Sequence, residues 1–180
     1  MRLLRIVACG VFMSAGFGFA VAADDAQTAA VQKLLDKAEI EALVTRYVTA
    51  LDTLDADAYE NVFTADGVYD VAGTVHKGRP AIRKIVTDLQ AIRARNDAAG
   101  TPSPRLYHVM SNPSIEILDA THARHQSYAQ TVRAADNGQF IDGFMGRYED
   151  ELVKVDGHWL IQSRKLVSFV APAASNPSGR

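Results

Sequence analysis

Three residues of this chain have side chains of the types that take part in proton transfer and are the candidates for chemistry: His108, Asp52 and Tyr47. His108 lies in the run Tyr107-His108-Val109-Met110-Ser111-Asn112. Strand alternation puts His108, Met110 and Asn112 on one face and Tyr107 and Val109 on the other. Asp52 closes a helical pattern, and Tyr47 precedes it by five residues. A carboxylate bonded to one imidazole nitrogen fixes the tautomer and leaves the other nitrogen as a base. On residue types alone a structural reading stands beside this one, with His108 a satisfied strand histidine and Tyr47 a core aromatic with a bonded hydroxyl.

The elements that must position these residues can be read from periodicity. Apolar residues recur at helical spacing from Thr28 to Leu54, through Val31, Leu34, Leu35, Ala38, Leu43, Tyr47, Val48 and Leu51. Asp55 or Asp57 caps a short second helix through Phe63, which Asp66-Gly67 breaks. Val68–Val71 and Thr74–His76 form a small hairpin around Gly73. Gly78-Arg79-Pro80 opens a third helix with the stripe Ile82, Ile85, Val86, Leu89 and Ile92. A loop over Arg95–Pro104 follows, and then the period changes to two. Four strands are expected: Leu106–Leu118, His122–Ala134, Phe140–Val155 and His158–Val170. Their joints are Asp119-Ala120-Thr121, Asp136-Asn137-Gly138 and Asp156-Gly157, all hairpin chemistry. Helices followed by an antiparallel meander make an α+β fold, whose twisted strands leave an apolar cavity against the helices.

Composition narrows the function. With 180 residues, 48% apolar and 22% charged, the chain is neither disordered nor low-complexity. Lys plus Arg at 19 against Asp plus Glu at 21 provides no basic field for nucleic acid. Met1–Ala23 reads as a secretory signal peptide, with Arg2 and Arg5, an apolar run from Ile6 to Phe19, and the small-residue site Ala20-Val21-Ala22. The expected organisation is a leader at 1–23, one domain at 24–170 and a flexible tail at 171–180, in a periplasmic or secreted protein with no membrane span after cleavage. Cys9, the one cysteine, falls in the leader. Disulfides, thiolate catalysis and cysteine-ligated zinc are therefore not expected. His122 and His125 are three apart beside a turn, which predicts opposite faces and solvated or edge positions rather than a metal site. His76 and His158 are expected at the surface, and Arg93 and Arg95 at a solvated helix end.

The order of motifs resembles the SnoaL-like branch of the nuclear transport factor 2-like superfamily. The resemblance is carried by Arg46-Tyr47 with Ala50-Leu51-Asp52, Val62–Gly67, Gly78–Ile82, His108–Asn112, Gly146–Leu152, and Asp156-Gly157-His158-Trp159 followed by Arg164. It runs from about Ala38 to Leu166. It implies a cone-shaped α+β barrel with a deep pocket, three helices packed on a curved sheet, and dimers or trimers formed through the sheet's outer face. It also implies that the end of the first helix folds over the cone mouth, where Asp52 can meet His108. Scytalone dehydratase, hexachlorocyclohexane dehydrochlorinase and bile-acid 7α-dehydratase carry an Asp–His pair at similar positions. The last of these also has a tyrosine placed as Tyr47 is. By the same resemblance Arg164 is a pocket arginine, with Tyr148, Asn112 and Met110 as lining. Arg164 could instead pair with Glu149 or Glu151 across the sheet. The expectation is a cofactor-independent, metal-free lyase or isomerase for a small apolar cyclic molecule. The alternative is a binding or interaction domain on the same fold.

Overall fold

A computed structural model describes residues 17–134 and 140–169. The chain divides into two compact units, Met1–Leu35 and Asp36–Arg180. Helix α1, Phe17–Thr53, starts earlier than the expected Thr28. The alanine-rich stretch before Thr28 has high helix propensity and contains no breaker from Phe19 onward. In the first unit every residue from Asp25 to Leu35 is exposed, Leu34 at 67%, so Val31, Leu34 and Leu35 continue the apolar period without being core. The greater part of the leader, the Asp136-Asn137-Gly138 joint and the tail lie outside the described residues.

The second unit holds the rest. Helix α2, Ala56–Asn61, is capped by Asp55, whose carboxylate accepts from the Ala58 N–H at 2.9 Å. Strand β1, Phe63–Val71, begins earlier than expected, because the Val62 carbonyl is bonded by the Ile161 N–H at 2.9 Å and the chain bulges before Val68. Strand β2, Thr74–Lys77, closes the hairpin. Helix α3, Gly78–Ala98, extends past the expected loop start. Its first residue has φ +76°, a left-handed conformation that glycine adopts without steric cost. Then come β3, Leu106–Ile117, β4, His122–Ala134, β5, Phe140–Val155, and β6, His158–Ser168.

These six strands form one sheet in the order β2-β1-β6-β5-β4-β3. Every pairing is antiparallel except β1 with β6, which joins the small hairpin to the meander. The fold is α+β, helices followed by a mostly antiparallel sheet. Asp156 and Gly157, at φ 51° and 83°, make the two-residue turn that Asp-Gly dictates. At the β3–β4 turn the Asp119 carboxylate is held down at about 2, first by the Thr121 N–H, then by the His122 ring and the Thr121 hydroxyl. From Asp36 onward α1 is tied to β6: the Trp159 indole donates to Asp36 at 3.1 Å and its backbone N–H donates to Glu39 at 3.0 Å. Ile40, Leu43, Tyr47 and Leu51 of α1 join Trp159 and Ile161 in the core. No helix among the described residues is long and apolar enough to cross a membrane.

Candidate active site

Strand β3 is an edge of the sheet, and the His108 N–H on it is taken by a side chain of α1. That N–H donates to both oxygens of Asp52, at 3.1 and 3.2 Å, while ring Nδ1 lies 2.6 Å from Asp52 Oδ1. An ionised carboxylate only accepts, so Nδ1 carries the proton and Nε2 keeps its lone pair. Both side chains are largely shielded, 11% and 16% exposed. Asp52 is placed by the end of α1. Leu54 adopts φ 56° and the Asp55 N–H returns to the Ala50 carbonyl at 2.8 Å, closing the helix. Gln90 of α3 donates to the Leu54 carbonyl at 2.7 Å, holding this corner against its neighbour. A bulky residue in the left-handed region costs about 1–3 kcal/mol. Here that conformation turns Leu54 into the wall of a pocket.

The pocket has a volume of about 140 Å³. Its walls are apolar on α1 and the turn after it (Leu51, Leu54), α3 (Leu89, Ile92) and the entry to β3 (Pro104, Leu106). Four polar residues complete it: Asp52, His108, Arg93 and Ser103. The Asn96 side chain donates to Ser103 at 2.7 Å and the Thr101 N–H donates to the Asn96 carbonyl at 2.9 Å, pinning the loop after α3 as the fourth wall. The arrangement offers a base with a fixed tautomer beside a small, mostly apolar space.

The other expected site residues lie elsewhere. Tyr47 is fully buried, with its hydroxyl 3.1 Å from that of Tyr69 and 3.3 Å from those of Tyr148 and Tyr59. The Arg164 guanidinium lies 3.9 Å from the Tyr47 ring centre and 4.4 Å from that of Tyr148. Arg164 does not reach Glu149 or Glu151. Its Nε and Nη2 each donate to Asp150 at 2.7 Å, and His125 Nδ1 is 2.7 Å from the same carboxylate. His125, expected at a solvated or edge position, is 1% exposed, because β4 alternation turns it inward with Ala123 and Ser127. Tyr47, Tyr148 and Arg164 do not line the dyad's pocket. Met110 lines a neighbouring groove of about 250 Å³ with His125 and Ser127. Asn112 sits in a bulge at φ 52° and is exposed, so it does not share the face of His108 as strict alternation would require.

Within this core the Tyr59, Tyr69 and Tyr148 phenols are raised well above their ordinary value, chiefly by burial and then by Tyr47. A raised phenol stabilises the fold below the unfolded value of about 10, and that stability is lost as pH rises through the folded one. Phenolate absorbance in an alkaline titration should therefore stay short of the six tyrosines until the protein unfolds. All six ionising with circular dichroism unchanged would contradict a sealed cluster.

Sequence reasoning missed Arg93 and Ser103 as pocket residues. A signal for Arg93 existed, since it stands one helical turn after Leu89 and so shares its face. Compared with known proteins, residues 32–165 match the SnoaL-like domain family. Among solved structures, a protein of unknown function from Mycobacterium tuberculosis is 27% identical with a TM-score of 0.67, covering 79% of this chain and 76% of its own. An NTF2-like protein with a cystatin-like fold from Novosphingobium aromaticivorans is 24% identical with a TM-score of 0.68, covering 82% and 90%, and speaks to the fold alone. A protein proposed to be a scytalone dehydratase, from the same organism, is 25% identical with a TM-score of 0.63, covering 84% and 98%. No curated protein shows significant sequence similarity to the chain.

Proposed function

Because the chain belongs to the SnoaL-like domain family, whose fold carries many chemistries, we propose from its pocket that it is a cofactor-independent lyase or isomerase acting on a small, mostly apolar cyclic molecule. The observation that carries this reading is the 2.6 Å contact of His108 Nδ1 with Asp52 at the wall of an apolar pocket. Nε2 of His108 takes a proton from a carbon next to a leaving group or carbonyl. The C–H electron pair becomes the new double bond, the C–O bond breaks with its pair on oxygen, and the imidazolium returns its proton to that oxygen, releasing water. In an isomerisation the proton goes back to another carbon. Asp52 holds the tautomer and offsets the charge that forms on the ring.

The size of the pocket restricts the substrate. At about 140 Å³ it is smaller than the roughly 300–1,000 Å³ of sites for drug-sized ligands, which favours a single ring. The signal-peptide-like pattern of Met1–Ala23 supports a periplasmic or secreted location for this activity. Self-association through the outer sheet face is supported by the exposed side chains of Tyr107, Val109, Tyr128, Met145 and Phe169.

The test is turnover rather than binding. Single-ring β-hydroxy carbonyl compounds in deuterated water should show elimination, or exchange of the C–H beside the carbonyl, followed by nuclear magnetic resonance. Saturable binding without elimination or exchange for the whole series would move the chain to the ligand-binding class.

A further inference from the structure

The dyad's pocket contains a cation that the reaction above does not use. Arg93 is partly buried on the α3 wall, and no hydrogen bond or ion pair is made by its guanidinium among the described residues. The other arginines that are not fully exposed all have oxygen partners: Arg79 on the Phe63 carbonyl, Arg83 on Asp57 and Glu60, Arg147 on Glu149, and Arg164 on Asp150. Arg46, Arg95, Arg105 and Arg133, which make no such bonds among the described residues, are exposed and can be solvated by water. Among the described arginines, Arg93 is thus the partly buried one without an acceptor. Its neighbour on the next wall, Ser103, accepts from Asn96 at 2.7 Å, which leaves the serine O–H free to donate.

We propose that Arg93, with Ser103 beside it, binds a carboxylate of the pocket's ligand, so that the molecule taken up there is a small alicyclic acid. A planar guanidinium matches a carboxylate with two parallel N–H···O bonds, and a pocket shielded from water strengthens them. The apolar wall of Leu51, Leu54, Leu89 and Leu106 takes the ring, and His108 then meets a ring carbon rather than the charged end. This rests on the pocket being the ligand site of the reading above, but not on whether a reaction occurs there.

The experiment is calorimetric titration of the full chain with cyclohexanecarboxylate and with its uncharged methyl ester, at low salt and mildly alkaline pH. The acid should bind at least about tenfold more tightly, the contribution of one charge-assisted hydrogen bond. Arg93→Met keeps the apolar stem and should bring the two ligands to parity, while Arg93→Lys should keep part of the preference. Circular dichroism checks that both variants fold. Equal affinity for acid and ester, an acid affinity unchanged in Arg93→Met, or no saturable binding of either compound overturns the proposal. Tight binding of the acid, with no elimination or exchange across the substrate series, leaves it standing and removes the lyase reading instead.

Discussion

Replacing His108 with alanine should lower turnover by about 10²–10⁴, the usual worth of a general base, while the fold and ligand binding persist. The fold should survive because His108 lies on an edge strand and its backbone N–H, which the substitution keeps, still donates to Asp52. Asp52→Asn is the sharper test. The amide keeps the shape and can still accept the His108 N–H, but its NH₂ group would donate to Nδ1 and push the ring proton onto Nε2. The base would then carry a proton where it needs a lone pair, and the loss should be of similar order. Groups that act as a unit are not additive, so the double variant should be little worse than either single one. Multiplicative losses would mean that the two residues work independently. Full activity in His108→Ala would rule out His108 as the base.

How far the sequence foretells this structure depends on whether a feature is local. The turns at Asp119–Thr121 and Asp156-Gly157 are written in a few residues, and the strands they join fall within a few residues of the expected bounds. The face of His108 follows from alternation, but alternation fails four residues later, at Asn112. Pro113 has no N–H to give the ladder, and the pairing with β4 skips from Ser111 to Ser114, so Asn112 leaves the inner face. The partner of Arg164 was legible only to within one residue. Glu149, Asp150 and Glu151 are adjacent, and the β5–β6 register, set by the whole hairpin, puts Asp150 opposite Arg164. Arg93 was obscured by its place after the last apolar residue of the α3 stripe, where the sequence reads as a helix end. The helix continues to Ala98, and the loop beyond it folds back to make a wall.

The largest stability effect should come from the core of that same register. Asp150, Arg164 and His125 are all within 4% of complete burial. Burial alone would push the Asp150 carboxyl up, but the Arg164 charge and hydrogen bonds, with His125, outweigh it and hold the group below its ordinary range. Arg164 is likewise raised: burial opposes its charge, and Asp150 more than restores it. Removing one partner leaves a buried charge uncompensated, which costs about 3–5 kcal/mol. Arg164→Met should therefore lower the melting temperature by roughly 6–20 °C at about 2–4 °C per kcal/mol for a domain of this size. Replacing Asp150 and Arg164 together by apolar residues should cost less than Arg164→Met alone, because no naked carboxylate remains. The pH dependence has a fixed sign. A depressed carboxyl contributes its full stability above the unfolded value of about 4, and that stability is lost as pH falls through the folded one. Asp150→Asn cannot take up that proton, so its unfolding midpoint in denaturant should vary less steeply in acid than that of the wild type. An equally steep acid limb in the variant would place the acid lability elsewhere in the molecule and leave the buried pair without the energetic role its geometry implies.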